Sequence, residues 1–425
     1  MKLWTKETLE TVTYNFKTLS YEAQLSFMEF MNNKFPPQLY SEQILSRRSA
    51  LKNMEQSRNQ LKGVVQSFPS FIEFNSIEYS QQSLRNHAVV LTAGGEGERL
   101  RLSLLQEGIA PELLKDFTKA TFALPGFYNQ FGTLHANLCM ISSICTKYNL
   151  DIPVIVTTGP QGSITAKVIP EILNKHNGFG LKSIMVVEQD ERLHFTNDEK
   201  IVCQFVDGKP VPVTQPDETG GPLMKLKARP LNIEMSALDW LKTKGCTKLI
   251  VVQATALYDL NLLPAMAKAL EGHDCLGVGI LRTDFPEKDP FGTFVSLCKD
   301  NHCSVMIVEQ DVRNETTRQV KDPSGKYCLP YNTGFYGFDI DLLVNNNLPD
   351  FATPPKEITP ELPRSPKIGY AATDLLPLSQ KPVVLSIDTS KFRVLKTSAD
   401  LIPLSEMGKK NGLEEICKKV VENGN

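Results

Sequence analysis

Three glycines, Gly94, Gly95 and Gly97, follow the apolar run Ala88–Ala93 and stand just ahead of Arg99. An uninterrupted apolar run rich in β-branched residues reads as a buried parallel strand. Glycines beyond such a strand let the backbone turn sharply and approach a ligand closely. Their N–H groups form an anion cradle, to which the positive end of a following helix adds. Arg99 brings planar, permanently charged donors suited to phosphate oxygens. Lys119, in Lys115-Asp116-Phe117-Thr118-Lys119, could reach back to the same phosphates as a point charge or lie solvated at the surface. The competing reading of the whole loop is a strand-to-helix turn without a ligand.

Two further segments have the types that recognition needs. Gln189 follows the strand-like Ile184–Glu188, and its amide carries the donors and the acceptor that a nucleobase edge requires. A loop amide satisfied within the protein is the alternative. Gln215-Pro216-Asp217-Glu218-Thr219-Gly220-Gly221 is a second glycine turn, suited to close backbone contact with a flat base or sugar. Other chemistries lack their residues. There is no GxxxxGK[ST] loop, no third glycine of a GxGxxG fingerprint and no GxSxG elbow, and the six histidines have no metal-ligand spacing.

The elements that must position these groups alternate along the chain. Strand-like runs lie at Ala88–Ala93, Pro153–Thr158, Ser183–Glu188, Lys248–Ala254, Cys275–Leu281, Cys303–Val308 and Pro382–Ile387. Helical spacing marks Tyr128–Tyr148, Ile164–Lys175, Asn232–Lys244 and Leu260–Leu270. This alternation predicts an α/β fold, a mostly parallel mixed sheet flanked by helices, with ligands beyond the carboxyl ends of the strands. Residues 5–66 read as helical, with a break at Phe35-Pro36-Pro37. The reading therefore has three parts: an N-terminal helical arm (1–85), the α/β domain carrying the glycine loop (86–365), and a C-terminal segment (366–425) that completes the sheet and ends in a short helical tail. The Pro-rich stretch Pro349–Pro366 reads as a surface connection.

Composition excludes several classes of function. A formal net charge of −2 over 425 residues gives no field to recruit nucleic acid. No apolar run approaches the ~20 residues of a membrane helix, and the N-terminus lacks the apolar core of a secretion signal. Nine cysteines, spread singly and odd in number, fit reduced thiols and a cytoplasmic location.

The order of these motifs resembles that of the eukaryotic-type UDP-sugar pyrophosphorylases, the family of UDP-N-acetylhexosamine and UTP–glucose-1-phosphate uridylyltransferases. The family's LxxGxGTR loop is similar to Leu91–Arg99, with Glu98 in place of threonine. Its Pro-Lys pair is similar to Thr118-Lys119, and its strand-end glutamine to Val187-Glu188-Gln189. Its PDGxGG turn resembles Pro216–Gly221, and its NTNN segment resembles Tyr331-Asn332-Thr333-Gly334. The element RFxPVKTxxDL resembles Lys391–Leu401, and even Leu19–Leu25 is similar to the family's helical arm.

This resemblance implies a Rossmann-like fold of the nucleotide-diphospho-sugar transferases and a nucleotidyltransferase that makes a UDP-sugar and pyrophosphate from UTP and a sugar 1-phosphate. It implies catalytic roles for Arg99, Lys119 and Lys396, and nucleotide contacts from Gly94, Gly95, Gly97, Gln189, Gly220, Gly221 and Asn332. It also implies Mg²⁺. Here the chain departs from the family, because the metal-binding aspartate falls on Ala254 in Val252-Gln253-Ala254-Thr255-Ala256-Leu257. Gln253 or Asp259 is a substitute, and Asp374 is the candidate for the other oxygen ligand. The altered positions Ala254 and Glu98 also suit a catalytically silent UDP-sugar or UTP binder on the same fold, or transfer of UMP to a non-sugar acceptor. Neither the sugar nor the oligomeric state is set by the sequence.

Overall fold

The computed structural model describes residues 3–62, 64–95, 97–229, 235–286, 291–299, 302–355 and 364–424. The chain forms two compact units, each from non-contiguous segments. One comprises Met1–Lys62, Asp190–Gly221 and Leu348–Ala372; the other comprises Gly63–Gln189, Pro222–Asn347 and Thr373–Asn425. The linear division at residues 85 and 365 is thus not the division by contact.

The larger unit is built on an 11-stranded sheet. Its strands are β1 (Val65–Ser67), β2 (Phe71–Glu73), β3 (His87–Thr92), β4 (Val154–Thr158), β5 (Ile184–Glu188), β6 (Lys248–Gln253), β7 (Cys275–Arg282), β8 (Thr293–Lys299), β9 (His302–Val308), β10 (Cys328–Asp339) and β11 (Pro382–Ile387). The main path runs β2-β11-β7-β10-β6-β3-β4-β5. All neighbours on it are parallel except β10, which is antiparallel to both β6 and β7. The expected mostly parallel mixed sheet is therefore the observed one, with strand bounds within a residue or two.

Two features were not anticipated. β10 fills the middle of the sheet although it holds Pro330, Gly334 and Gly337, and β8 pairs with β9 as a hairpin that also meets β1 and β10. In that hairpin Cys298 stands opposite Cys303 and the two form a disulfide. The expectation of reduced thiols throughout is corrected here: the hairpin register, not a CxxC spacing, brings the two sulfurs together. The other cysteines are free, and all but Cys145 are buried.

Buried on both faces, β3 and β4 pack among α5 (Thr133–Tyr148) and α6 (Ile164–Lys175), with α4 (Glu98–Gln106) following the glycine loop. Leu134, Leu138 and Ile141 of α5 and Ile169 and Leu173 of α6 recur at helical spacing and join Val89, Leu91, Val154 and Val156 in one core.

The smaller unit contains α1 (Lys6–Val12), α2 (Tyr21–Lys34) and α3 (Pro37–Asn59). The Pro36-Pro37 pair separates α2 from α3 as its chemistry requires: the residue before a proline avoids the helical region, and proline is tolerated at the first helical position. The helices do not stand alone as an arm. Leu9, Phe16, Phe27 and Met31 share a core with Leu193, Phe195 and Ile201, and Ala50 of α3 packs on Ala352 and Ile368. Asn53 Nδ2 donates to the Asp350 carbonyl at 2.8 Å, and Arg48 holds Glu199 through two hydrogen bonds at 2.9 and 2.6 Å. The stretch read as a surface connection pairs Asp350–Ala352 with Ile368–Tyr370; residues 356–363 lie outside the described residues.

Candidate active site

The loop after β3 carries the first group of expected residues. Gly94 is buried and Gly95 exposed, with open space where a Cβ at 95 would stand. Gly97 has φ 77° and directly precedes α4, so a side chain there would be strained in backbone and would press on Lys119 Cβ at 2.6 Å. No side chain caps α4, leaving the amides of its first turn open to an anion. Glu98 and Arg99 are exposed in that turn.

Gly94 has a different neighbour. A Cβ at 94 would collide with the Gln189 side-chain amide and lie 3.0 Å from the Thr158 carbonyl, so glycine here makes room for Gln189. Gln189 is 9% exposed, and its side-chain amide has no hydrogen-bond partner among the described residues. An amide that is not spent within the protein is available to a ligand.

Three cations converge beside this loop. Lys119 is half-buried, and burial together with Lys396 and Arg99 pushes its ammonium down to about 8, against a smaller opposing pull from Asp400. The Asp400 carboxylate is itself committed to the backbone, accepting from the N–H groups of Lys396 and Thr397 at 2.8 and 2.9 Å. Lys396 Nζ lies 3.8 Å from the centroid of the Phe291 ring, which stacks on Tyr331 of β10 at 4.8 Å. Lys396 therefore sits between Lys119 and the β10 aromatics. Like charges brought together out of water are costly without an anion between them. Asp400 and Phe291 were not anticipated as parts of this arrangement, whereas Gln253 was expected as a substitute metal ligand. Asp400 had a visible signal, four residues after Lys396; Phe291 had none.

Asn332 does not offer a free amide. Its Oδ1 accepts from the Gly334 N–H at 2.9 Å and its Nδ2 donates to the Tyr336 hydroxyl at 2.8 Å. Beside Tyr336, Asp374 stands half-buried, and burial alone raises its carboxyl to about 7. It has no ion pair or hydrogen bond among the described residues, where no group of three or more His, Cys, Asp or Glu side chains converges as a metal site. A single carboxylate with no cation of its own fits a Mg²⁺ held mainly by substrate phosphates. Ala254 is fully buried at the end of β6, with its carbonyl 3.5 Å from Asn137 Nδ2. The Gln253 amide donates to the Thr333 carbonyl at 3.1 Å and occupies the space a side chain at Gly334 would need.

Gly220 and Gly221 belong to the smaller unit and have a local explanation. A Cβ at 220 would lie 2.8 Å from the Tyr370 backbone, whose carbonyl accepts from the Gly220 N–H at 2.7 Å. A Cβ at 221 would overlap the side chain of Asp217, which is ion-paired with Arg192.

A central β10 running against otherwise parallel neighbours, with the glycine loop at the end of β3, belongs to the fold of the UDP-sugar pyrophosphorylases. The UDP-N-acetylglucosamine pyrophosphorylase of Trypanosoma brucei superposes with a TM-score of 0.66 at 14% identity, over 94% of this chain and 82% of that one. A UDP-glucose pyrophosphorylase of Leishmania major gives 0.62 at 14% identity, over 91% and 79%. A protein of Entamoeba histolytica described as a UDP-N-acetylglucosamine pyrophosphorylase gives 0.61 at 19%, over 79% and 84%. At these identities the likeness is one of fold. No protein-family model and no curated protein matches the chain. Among the described residues no helix is long and apolar enough to cross a membrane.

Proposed function

We propose that the protein is a uridylyltransferase that joins UTP and a sugar 1-phosphate to give a UDP-sugar and pyrophosphate. The observation that carries this reading is the convergence of Arg99, Lys119 and Lys396 beside an uncapped helix start and a glycine loop. A triphosphate lying there would take backbone N–H groups from Gly95 and Gly97 along its oxygens. Gln189, held against Gly94, is the proposed reader of the uracil edge. In the reaction, a phosphate oxygen of the sugar 1-phosphate attacks the α-phosphorus of UTP in line. The bond from that phosphorus to the bridging oxygen breaks and pyrophosphate leaves with the electron pair. Arg99 and Lys119 neutralise the charge building on the leaving group, and Lys396 orients the attacking phosphate; placement and charge do most of the work in such transfers. Asp374 would hold Mg²⁺, which when bound neutralises phosphate charge and fixes phosphate geometry.

A second reading has its own observation. With Ala254 turned into the core and the Gln253 amide spent on Thr333, a second metal carboxylate is missing from β6. This favours a protein that binds UTP or a UDP-sugar without turnover. A pyrophosphate-release assay of UTP against a panel of hexose and N-acetylhexosamine 1-phosphates, with and without Mg²⁺, decides between them. Release that requires both the sugar phosphate and Mg²⁺ supports the transferase. UDP-sugar binding by calorimetry with no release supports the silent binder.

A further inference from the structure

A cavity of about 680 Å³ opens between the start of α5 and the end of α6, lined by residues distinct from the cationic cluster. Its polar lining is one-sided: Lys175, His135, His176, Asn129 and Gln130 contribute, and no carboxylate does. His135 is the informative group. It is only 6% exposed, stacked on Phe131 with centroids 4.5 Å apart, and its Nδ1 accepts the Gly132 N–H at 3.2 Å. That hydrogen bond places the proton of the neutral ring on Nε2. Nε2–H has no acceptor among the described residues, and His135 lines the cavity, so this donor is open to a group that enters it. Opposite, Lys175 closes α6 as an exposed ammonium with no ion pair among the described residues, next to the His176 ring.

One rim is built from a conformation that side chains rarely adopt: Asn129 and Gln130 are consecutive at φ 48° and 53°. Such backbone persists where the surroundings over-determine it, and it clusters at ligand clamps. Phe127, Phe131 and Ile172 supply an apolar wall.

The same wall leads to Lys119. Leu134 N–H donates to the Ala120 carbonyl at 2.9 Å, Thr133 Oγ1 donates to it at 3.3 Å, and Thr121, bonded to Thr118 at 2.5 Å, lines the cavity. The first turn of α5 is thus fastened to the residue after Lys119.

We propose that this cavity is a second ligand site, which takes a small organic anion bearing a flat apolar group and adjusts the Lys119 turn from behind. The anion sits between Lys175 and the His135 Nε2–H, and the flat group lies on Phe127 and Phe131.

Phenyl phosphate combines both features and is the probe. It is titrated calorimetrically into the full chain saturated with pyrophosphate, and again into the Lys119→Ala variant. The second titration keeps the readout intact even if the proposed transferase activity fails. The expected result is binding in both, weakened at least tenfold by Lys175→Ala and by His135→Phe. Where His135→Phe does not fold, Lys175→Ala and His176→Ala decide, since Lys175 is exposed. No binding in either titration, or binding indifferent to Lys175→Ala, overturns the site. Coupling requires that phenyl phosphate shift the dissociation constant of pyrophosphate at least threefold in the parent chain and not in Lys175→Ala; an unshifted constant overturns the coupling.

Discussion

The chain has two glycine turns of the kind that approach nucleotides, and they use glycine for different reasons. After β3, Gly95 faces open space and Gly97 needs φ 77°, beside three cations of which Lys119 is pushed down to about 8. At Gly220 and Gly221 the missing Cβ is filled by the protein itself, by Tyr370 backbone and Asp217. The first turn leaves Gly95 facing open space, while its Gly94 and Gly97 make room for Gln189 and Lys119; in the second turn protein fills the space at both glycines. A glycine pattern alone cannot distinguish the two, because only the neighbours show what the absent side chain would have met.

The comparison can be broken by substitution. On the proposed function, Lys119→Ala and Arg99→Ala lower the rate of pyrophosphate release by ~10²–10³-fold, the scale for losing one preorganised charge-stabilising donor. Their melting temperatures stay within a few degrees of the parent, and an unchanged rate would remove both residues from the mechanism. Next, Gly220→Ala forces backbone apart and is expected to cost about 1–3 kcal/mol of stability by denaturant unfolding. Gly95→Ala stays within about 0.5 kcal/mol, as an exposed and unobstructed site should, while weakening pyrophosphate binding. Equal losses of stability at the two positions would erase the distinction drawn between the turns.

The smallest effect is one of pH. The Lys119 ammonium titrates near 8 in the folded chain, below its ordinary value of 10.5, so burying the charge opposes folding below pH 8. That penalty is relieved as pH rises from 8 towards 10.5, so this group makes the unliganded protein more stable across that window. On the proposed function, bound pyrophosphate would hold the proton on Lys119. Its affinity is expected to fall by up to about tenfold per pH unit above 8, and binding at pH 8 to take up protons. Calorimetry in buffers of different ionisation enthalpy measures that uptake; zero uptake would show that Lys119 does not meet the anion.

Much of the sheet was legible because parallel strands covered on both faces must be apolar at every position, as Val89, Val90 and Leu91 are. β10 escaped for the opposite reason. Pro330, Gly334 and Gly337 read as breakers, yet β10 absorbs them through irregular register against β7 and a left-handed Gly334 tucked under Gln253. In the site, Gly94, Gly97, Arg99 and Lys119 were visible as types and spacings and Lys396 through the family resemblance, and the fold does bring Arg99, Lys119 and Lys396 near one another. Their partners were not: that Gln189 rests on Gly94, that Phe291 lies under Lys396, and that Asn332 is consumed by Gly334 and Tyr336 depend on contacts across long stretches of sequence. The cysteine reading failed on the same point. Cys298 and Cys303 carry no motif until a hairpin register sets them opposite each other.

The place of β2 in the sheet has a consequence for biosynthesis. Phe71 pairs with Val384, so an edge made early waits for a partner that leaves the ribosome late. At elongation rates of about 5–20 residues per second that delay amounts to tens of seconds. Throughout it β2 has no strand beside it in the nascent chain, so this edge of the sheet can close only once synthesis is nearly finished.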